Sequence, residues 1–125
     1  MGRKELIRRL VLNEMSDDWE NVDQIIFPEA VKDGARLGLT IERSDVVDAL
    51  TSLMGDGYVK AWVLTPDGSY KDYVLTPPPL DVVEVVEEGF RTYFGITKKG
   101  MGWHLSDDTW WRFDVDGNPV AKTED

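Results

Sequence analysis

Leu39-Thr-Ile-Glu-Arg-Ser-Asp-Val-Val-Asp-Ala-Leu-Thr-Ser-Leu-Met-Gly-Asp-Gly-Tyr-Val59 decides how this chain is read. From Arg43 to Met54 the apolar residues Val46, Val47, Leu50, Leu53 and Met54 fall on one helical stripe. That leaves Arg43, Ser44, Asp45, Asp48, Thr51 and Ser52 toward solvent. Gly55-Asp56-Gly57 stops the helix, and Tyr58 to Leu64 is aromatic and β-branched, as a strand requires. Pro66-Asp67-Gly68 is a turn, because Pro presets one turn position and Gly accepts positive φ. Tyr70 to Leu75 completes a hairpin.

Upstream, Leu6, Ile7, Leu10 and Val11 recur at helical spacing within Arg3 to Met15, placing Arg3, Lys4, Arg8 and Arg9 on the remaining face. This is the most concentrated basic patch, and it reads as a solvated helix face or a surface that pairs with acidic groups of a second copy. Ser16-Asp17-Asp18 supplies capping groups, and Glu20 to Leu37 continues in helical pattern, with a kink or restart at Phe27-Pro28-Glu29. Gly34 and Gly38 mark its stop, and Thr40 can cap the next helix or the turn leading to it. Downstream, Thr76-Pro-Pro-Pro-Leu80 is a stiff connector, Asp81 to Glu88 fits either a short helix or a strand, and Arg91 to Thr97 reads as a strand. Lys98-Lys99-Gly100 begins a turn or short helix. Trp110 to Asn118 reads as a final hairpin or an aromatic segment laid over the core, with Ala121 to Asp125 frayed.

The charge runs against a polyanion-binding role. The 125 residues carry 24 acidic and 14 basic side chains, a net charge of -10. Residues 1 to 60 hold 8 of the basic and 12 of the acidic groups, so the imbalance extends over both parts of the chain. Such a molecule repels polyanions at a distance, and nucleic-acid binding would require a local basic surface. The absence of cysteine excludes disulfides, thiolate metal sites and cysteine nucleophiles, and is compatible with the cytoplasmic location we expect. Arg8, Arg9, Asn13 and Glu14 interrupt any apolar run that would make a signal peptide or a membrane span.

Leu50-Thr-Ser-Leu-Met-Gly-Asp-Gly-Tyr-Val59 resembles the end of the recognition helix and the start of the wing in winged helix-turn-helix transcriptional regulators. Tyr93-Phe-Gly-Ile-Thr-Lys-Lys-Gly100 is similar to the last wing strand of that superfamily, which runs into a Thr-x-x-Gly turn and a helix. The resemblance implies an α+β fold: a winged helix-turn-helix with a helical N-terminal half and a β-hairpin wing over residues 1–103. Residues 104–125 then form an aromatic C-terminal extension packed on the same domain. It also implies a recognition helix in the major groove and a wing on the DNA backbone, selecting Arg43, Ser44, Thr51, Ser52, Lys60 and Lys71 as contacts. A homodimer is expected from the resemblance alone. Glu42, Asp45, Asp48, Asp67 and Asp72 depart from that pattern, so two readings stand: a DNA-binding transcription regulator, or an acidic winged-helix module for a protein partner.

Trp103, Trp110, Trp111 and Phe113 form the densest aromatic cluster, read as core, as intramolecular lid or as an interface anchor. Asp114-x-Asp116-x-Asn118, with Asp125 distal, has the spacing of calcium ligands. Pro119 replaces the bend-forming Gly, and Asp116-Gly117-Asn118 is better explained as a turn, so no metal or cofactor is expected. His104, Ser106 and Asp107-Asp108 offer triad chemistry in name, but near neighbours on one short segment do not converge. Glu87-Glu88 and Asp17-Asp18 read as solvated or capping pairs. No phosphate loop or dinucleotide fingerprint occurs, and a non-enzymatic role is the expectation.

Overall fold

The computed structural model describes residues 1–64, 70–73 and 92–120. The class is α+β: helices α1 (Arg3–Glu14), α2 (Phe27–Arg36) and α3 (Arg43–Gly55), strands β1 (Val59–Leu64), β2 (Tyr70–Tyr73) and β3 (Thr92–Ile96), then α4 (Lys98–Leu105). The strands form one antiparallel sheet in the order β2-β1-β3. Pro66-Asp67-Gly68, the Pro run, Asp81 to Glu88, and Ala121 to Asp125 lie outside the described residues.

α1 is the centre of the helical layer. It buries Leu6, Ile7, Leu10, Val11 and Leu12, a wider arc than a surface helix covers, because α2, α3 and α4 all pack around it. α3 returns Val46, Val47, Ala49, Leu50 and Leu53 to the same core. The sheet closes that core with Val59, Ala61 and Phe94, while Lys60, Trp62, Tyr93 and Gly95 take the alternate positions on its other face. Glu20 and Phe94 exchange backbone hydrogen bonds of 2.9 Å, so the α1–α2 connection is stitched to β3.

α2 and α3 end the same way. Leu39 N–H donates to Gly34 O and Gly38 N–H to Ala35 O, and the pattern repeats at α3 with Tyr58 to Leu53 and Gly57 to Met54. Both are Schellman ends, and both put a glycine in the left-handed region, Gly38 at φ +75 and Gly57 at φ +79. Gly38 is therefore the stop of α2. Gly34 lies inside the helix, where an added Cβ would meet the Ile41 side chain at 2.8 Å.

Helix entry differs from the expected pattern. Ser16 and Asp18 serve their own turn, Ser16 Oγ donating to Asn13 O and Asp18 accepting from Trp19 N–H. The cap is Asn21, whose Oδ1 accepts from both Asp23 and Gln24 N–H. The restart expected at Pro28 takes the form of a π-helical turn over Val22–Ile26, continuing into α2, and the missing N–H of Pro28 falls where the helix changes from π to α. At α3 the boundary residue is Glu42 rather than Thr40, with Asp45 Oδ2 accepting from Glu42 N–H at 2.8 Å.

α4 begins at Thr97, whose hydroxyl accepts from Gly100 N–H at 3.0 Å and donates to Gly57 O at 2.6 Å. One side chain thus caps α4 and ties it to the α3–β1 turn. Beyond α4, Trp110–Arg112 is a 3-10 turn, and Phe113 bridges Pro119 around Gly117. Of the two readings of Trp110 to Asn118, a hairpin or an aromatic segment over the core, the 3-10 turn drops Trp110 into the core while pairing is confined to the Phe113–Pro119 bridge. Val115 N–H donates to Leu37 O at 2.8 Å, holding the segment against the end of α2.

Candidate functional site

The outer face of α3 is the expected contact surface, and its polar side chains are largely engaged within the molecule. Arg43 makes a two-pronged contact with Asp23 of the π-helical turn, Nε to Oδ1 at 2.8 Å and an Nη to Oδ2 at 3.3 Å. Thr51 donates its hydroxyl to Val47 O at 2.9 Å, and Ser52 accepts from Arg8 of α1. Ser44 is exposed. Lys60 holds its ammonium 5.6 Å from the centre of the Trp62 ring. Lys71 lies on β2 opposite Val63. The six residues are therefore spread over helix, central strand and edge strand.

Of the N-terminal basic patch, Arg3 and Arg8 turn onto the same helix, Arg9 turns onto α4, and Lys4 is exposed. Arg3 bonds Asp45 Oδ2 and Thr40 O, both at 3.1 Å, and Arg8 bonds Asp56 Oδ2 at 2.8 Å. Burial pushes the Asp45 carboxyl up, but the bonds from Arg3 and the Glu42 amide and the charge of Arg3 outweigh it and hold it below the usual range. Arg9 is buried. Its guanidinium donates to Trp103 O at 2.7 Å and lies 3.7 Å from the Trp103 ring centre. The reading of this patch as a solvated face is corrected for Arg8 and Arg9, whose partners lie far along the chain. With Arg3 and Arg8 ion-paired, Glu42 and Asp48 remain exposed beside them along α3.

The aromatic residues divide by role. Trp103 stacks on Tyr58 at 4.9 Å between ring centres, Trp110 belongs to the core, and Trp111 is half-buried with Arg112 over its ring. Phe113 is 48% exposed, the one member of the predicted cluster that stands at the surface. Sequence reading missed a second aromatic pair. Trp19, 43% exposed, stacks on Trp62 at 4.3 Å between centres and 16° between planes. Gly95 makes the pairing possible, since a Cβ there would meet both indoles at 2.8 and 2.9 Å. The flanking Asp17 and Asp18 are exposed. No local pattern signals a pair formed across 43 positions, although a glycine in a strand hints at close approach.

Carboxylates gather once among the described residues. Glu14, Glu29 and Asp33 place ligand oxygens within 4.8 Å of one another where α1 meets α2. Burial first, then the hydrogen bond and negative charge of Asp33, with Glu29 and Glu20 adding to them, push Glu14 up to about 8. A proton on Glu14 thus relieves the crowding at neutral pH. The 114–118 loop uses its oxygens differently from a calcium site: Asp114 Oδ1 accepts from Asp116 and Asn118 N–H and shapes the turn. Ser106 donates to Trp103 O and Asp107 accepts from Thr109, so neither is spent on His104. Burial and the charge of Arg9 lower the His104 imidazole from its ordinary value, against the opposing pull of Asp17.

A cleft of about 220 Å³ opens beside this carboxyl group, between α1, α2 and the 3-10 turn. No family model, curated protein or solved structure matches the chain.

Proposed function

We propose that this chain is a non-enzymatic, acidic winged-helix module that engages a protein partner rather than duplex DNA. The helix-helix-helix-hairpin order and the Thr97-x-x-Gly100 turn into α4 support the scaffold. The observation that carries the choice of partner is the outer face of α3. There Arg43 is bound to Asp23 and Arg8 to Ser52 and Asp56, while Glu42 and Asp48 face outward. A DNA-reading helix needs several cations directed at phosphates, and each carboxylate left there opposes them. Trp19 stacked on Trp62, beside Asp17 and Asp18, supplies the kind of aromatic anchor on which protein interfaces concentrate their energy.

Two measurements test this reading. Fluorescence anisotropy with a random-sequence duplex at low ionic strength, where electrostatic attraction is strongest, is expected to show no saturable binding. Saturable binding that weakens steeply with salt would restore the DNA reading. A photo-cross-linking residue at exposed Ser44 is then expected to give a discrete protein adduct in cells expressing the chain. A nucleic-acid adduct would again favour DNA.

A further inference from the structure

We infer that the cleft between α1, α2 and the 3-10 turn is a binding site for a small zwitterion with an apolar body, the chemical class of a hydrophobic amino acid. Its floor is formed by the buried side chains of Leu10, Leu37 and Trp110, its apolar wall by the half-buried Trp111 indole, and its polar edge by Asn13, Asp33 and Arg36. Pockets for small ligands combine these features: apolar and aromatic walls with a few polar groups that fix orientation.

The two charges on the edge select the ligand. Asp33 and Arg36 stand three residues apart on one helix, and their closest approach is 3.8 Å, too long for a hydrogen bond. The Arg36 guanidinium makes that loose ion pair but no side-chain hydrogen bond among the described residues, so its planar fork of donors is available to a carboxylate. Asp33 and Glu29, beside the protonated Glu14, keep that end of the cleft negative, which attracts an ammonium. An α-amino acid carries both charges on one carbon, a spacing suited to groups one helical turn apart. Its side chain then lies against the half-buried Trp111 indole. Asn13 adds an amide able to donate or accept. The site stands apart from the outer face of α3, so it does not depend on the choice between protein and DNA there.

The test uses the full chain labelled with 15N and titrated with L-phenylalanine, reading the five indole N–H resonances. Saturable shifts of Trp110 and Trp111 are expected, with those of Trp19 and Trp62 unmoved. Asp33→Asn and Arg36→Gln are each expected to weaken binding about tenfold or more, as loss of a charged hydrogen-bond partner does. 2-Phenylethylamine and 3-phenylpropionate, each lacking one charge, are expected to bind about tenfold more weakly than phenylalanine. Arg36 is 42% exposed, so Arg36→Gln keeps the fold, and matched melting temperatures verify this. No saturable shift up to about 10 mM, equal binding of the three compounds, or undiminished binding by either variant would overturn the assignment.

Discussion

Glu14 sets the pH response at the scale of a single residue. Its carboxyl titrates from the ordinary 4.5 when unfolded and is pushed up to about 8 in the fold. Its contribution is fully present below the unfolded value and is lost as pH rises through the folded one, because the folded protein must then ionise it beside Asp33 and Glu29. Glu14→Gln cannot ionise, so it is expected to flatten stability between pH 5 and 8. At pH 8.5 it should exceed the parent by about 1–2 kcal/mol after solvent screening. His104, lowered by burial, acts with opposite sign below its unfolded value, and the difference between parent and variant removes it. Melting curves of both proteins across that range check the point, and parallel curves would contradict it. Gly100 offers a second test, since an added Cβ would lie 2.1 Å from Tyr58 O whereas one at Gly102 meets nothing within 4 Å. Gly100→Ala is expected to cost about 2–3 kcal/mol in urea unfolding, and Gly102→Ala to be neutral or to stabilise by up to about 1 kcal/mol.

At the scale of elements, Arg9 ties α4 to α1. The guanidinium meets Trp103 O near the C-terminal end of α4, where the helix dipole favours a cation, and lies 3.7 Å from the Trp103 ring centre. Arg9→Ala removes the charged hydrogen bond and the stacking together, and is expected to cost about 2–3 kcal/mol by denaturant unfolding. Arg9→Lys is expected to recover less than half, because an ammonium cannot stack and bond in one plane. Full recovery by lysine would show that charge alone matters. This contact also marks where sequence reading stops. The ranges of α1, α3 and the strands are legible because apolar period and glycine stops are local signals. Arg9 is misread because its partner lies 94 positions away, and a basic run beside an apolar stripe has the pattern of a wetted face. Asn21 is overlooked as a cap because Ser16, Asp17 and Asp18 carry the same chemistry a few residues earlier. The polar half of α3 is legible as a set of residues, yet its pairing with α1 and the π-helical turn is tertiary and leaves no periodic trace. The cleft is invisible for the same reason, since its residues come from three separated segments.

Over the whole molecule, two electrostatic effects oppose each other, and their sizes predict the response to salt. The five ion pairs among the described residues are mostly solvent-accessible, and such pairs contribute about 0.2–1 kcal/mol each, part of which salt screens away. Against this stands the net charge of -10, which repels itself more strongly in the compact fold than in the expanded chain. Between about 10 and 150 mM salt the Debye length falls from about 30 to 8 Å, from wider than a domain radius to well inside it. Screening on that scale relieves roughly 2–3 kcal/mol of the excess repulsion, compared with about 1 kcal/mol lost from the pairs. Added sodium chloride is therefore expected to raise the melting temperature by several degrees over this range, with most of the rise below about 100 mM, where the Debye length changes fastest. Replacing exposed Asp48 and Glu42 by Asn and Gln should reduce that rise by lowering the net charge, without touching the Arg8 and Arg43 contacts. A melting temperature that falls with salt would mean that internal pairing outweighs net repulsion, and that the acidic surface is balanced within the fold instead of being held for a basic partner.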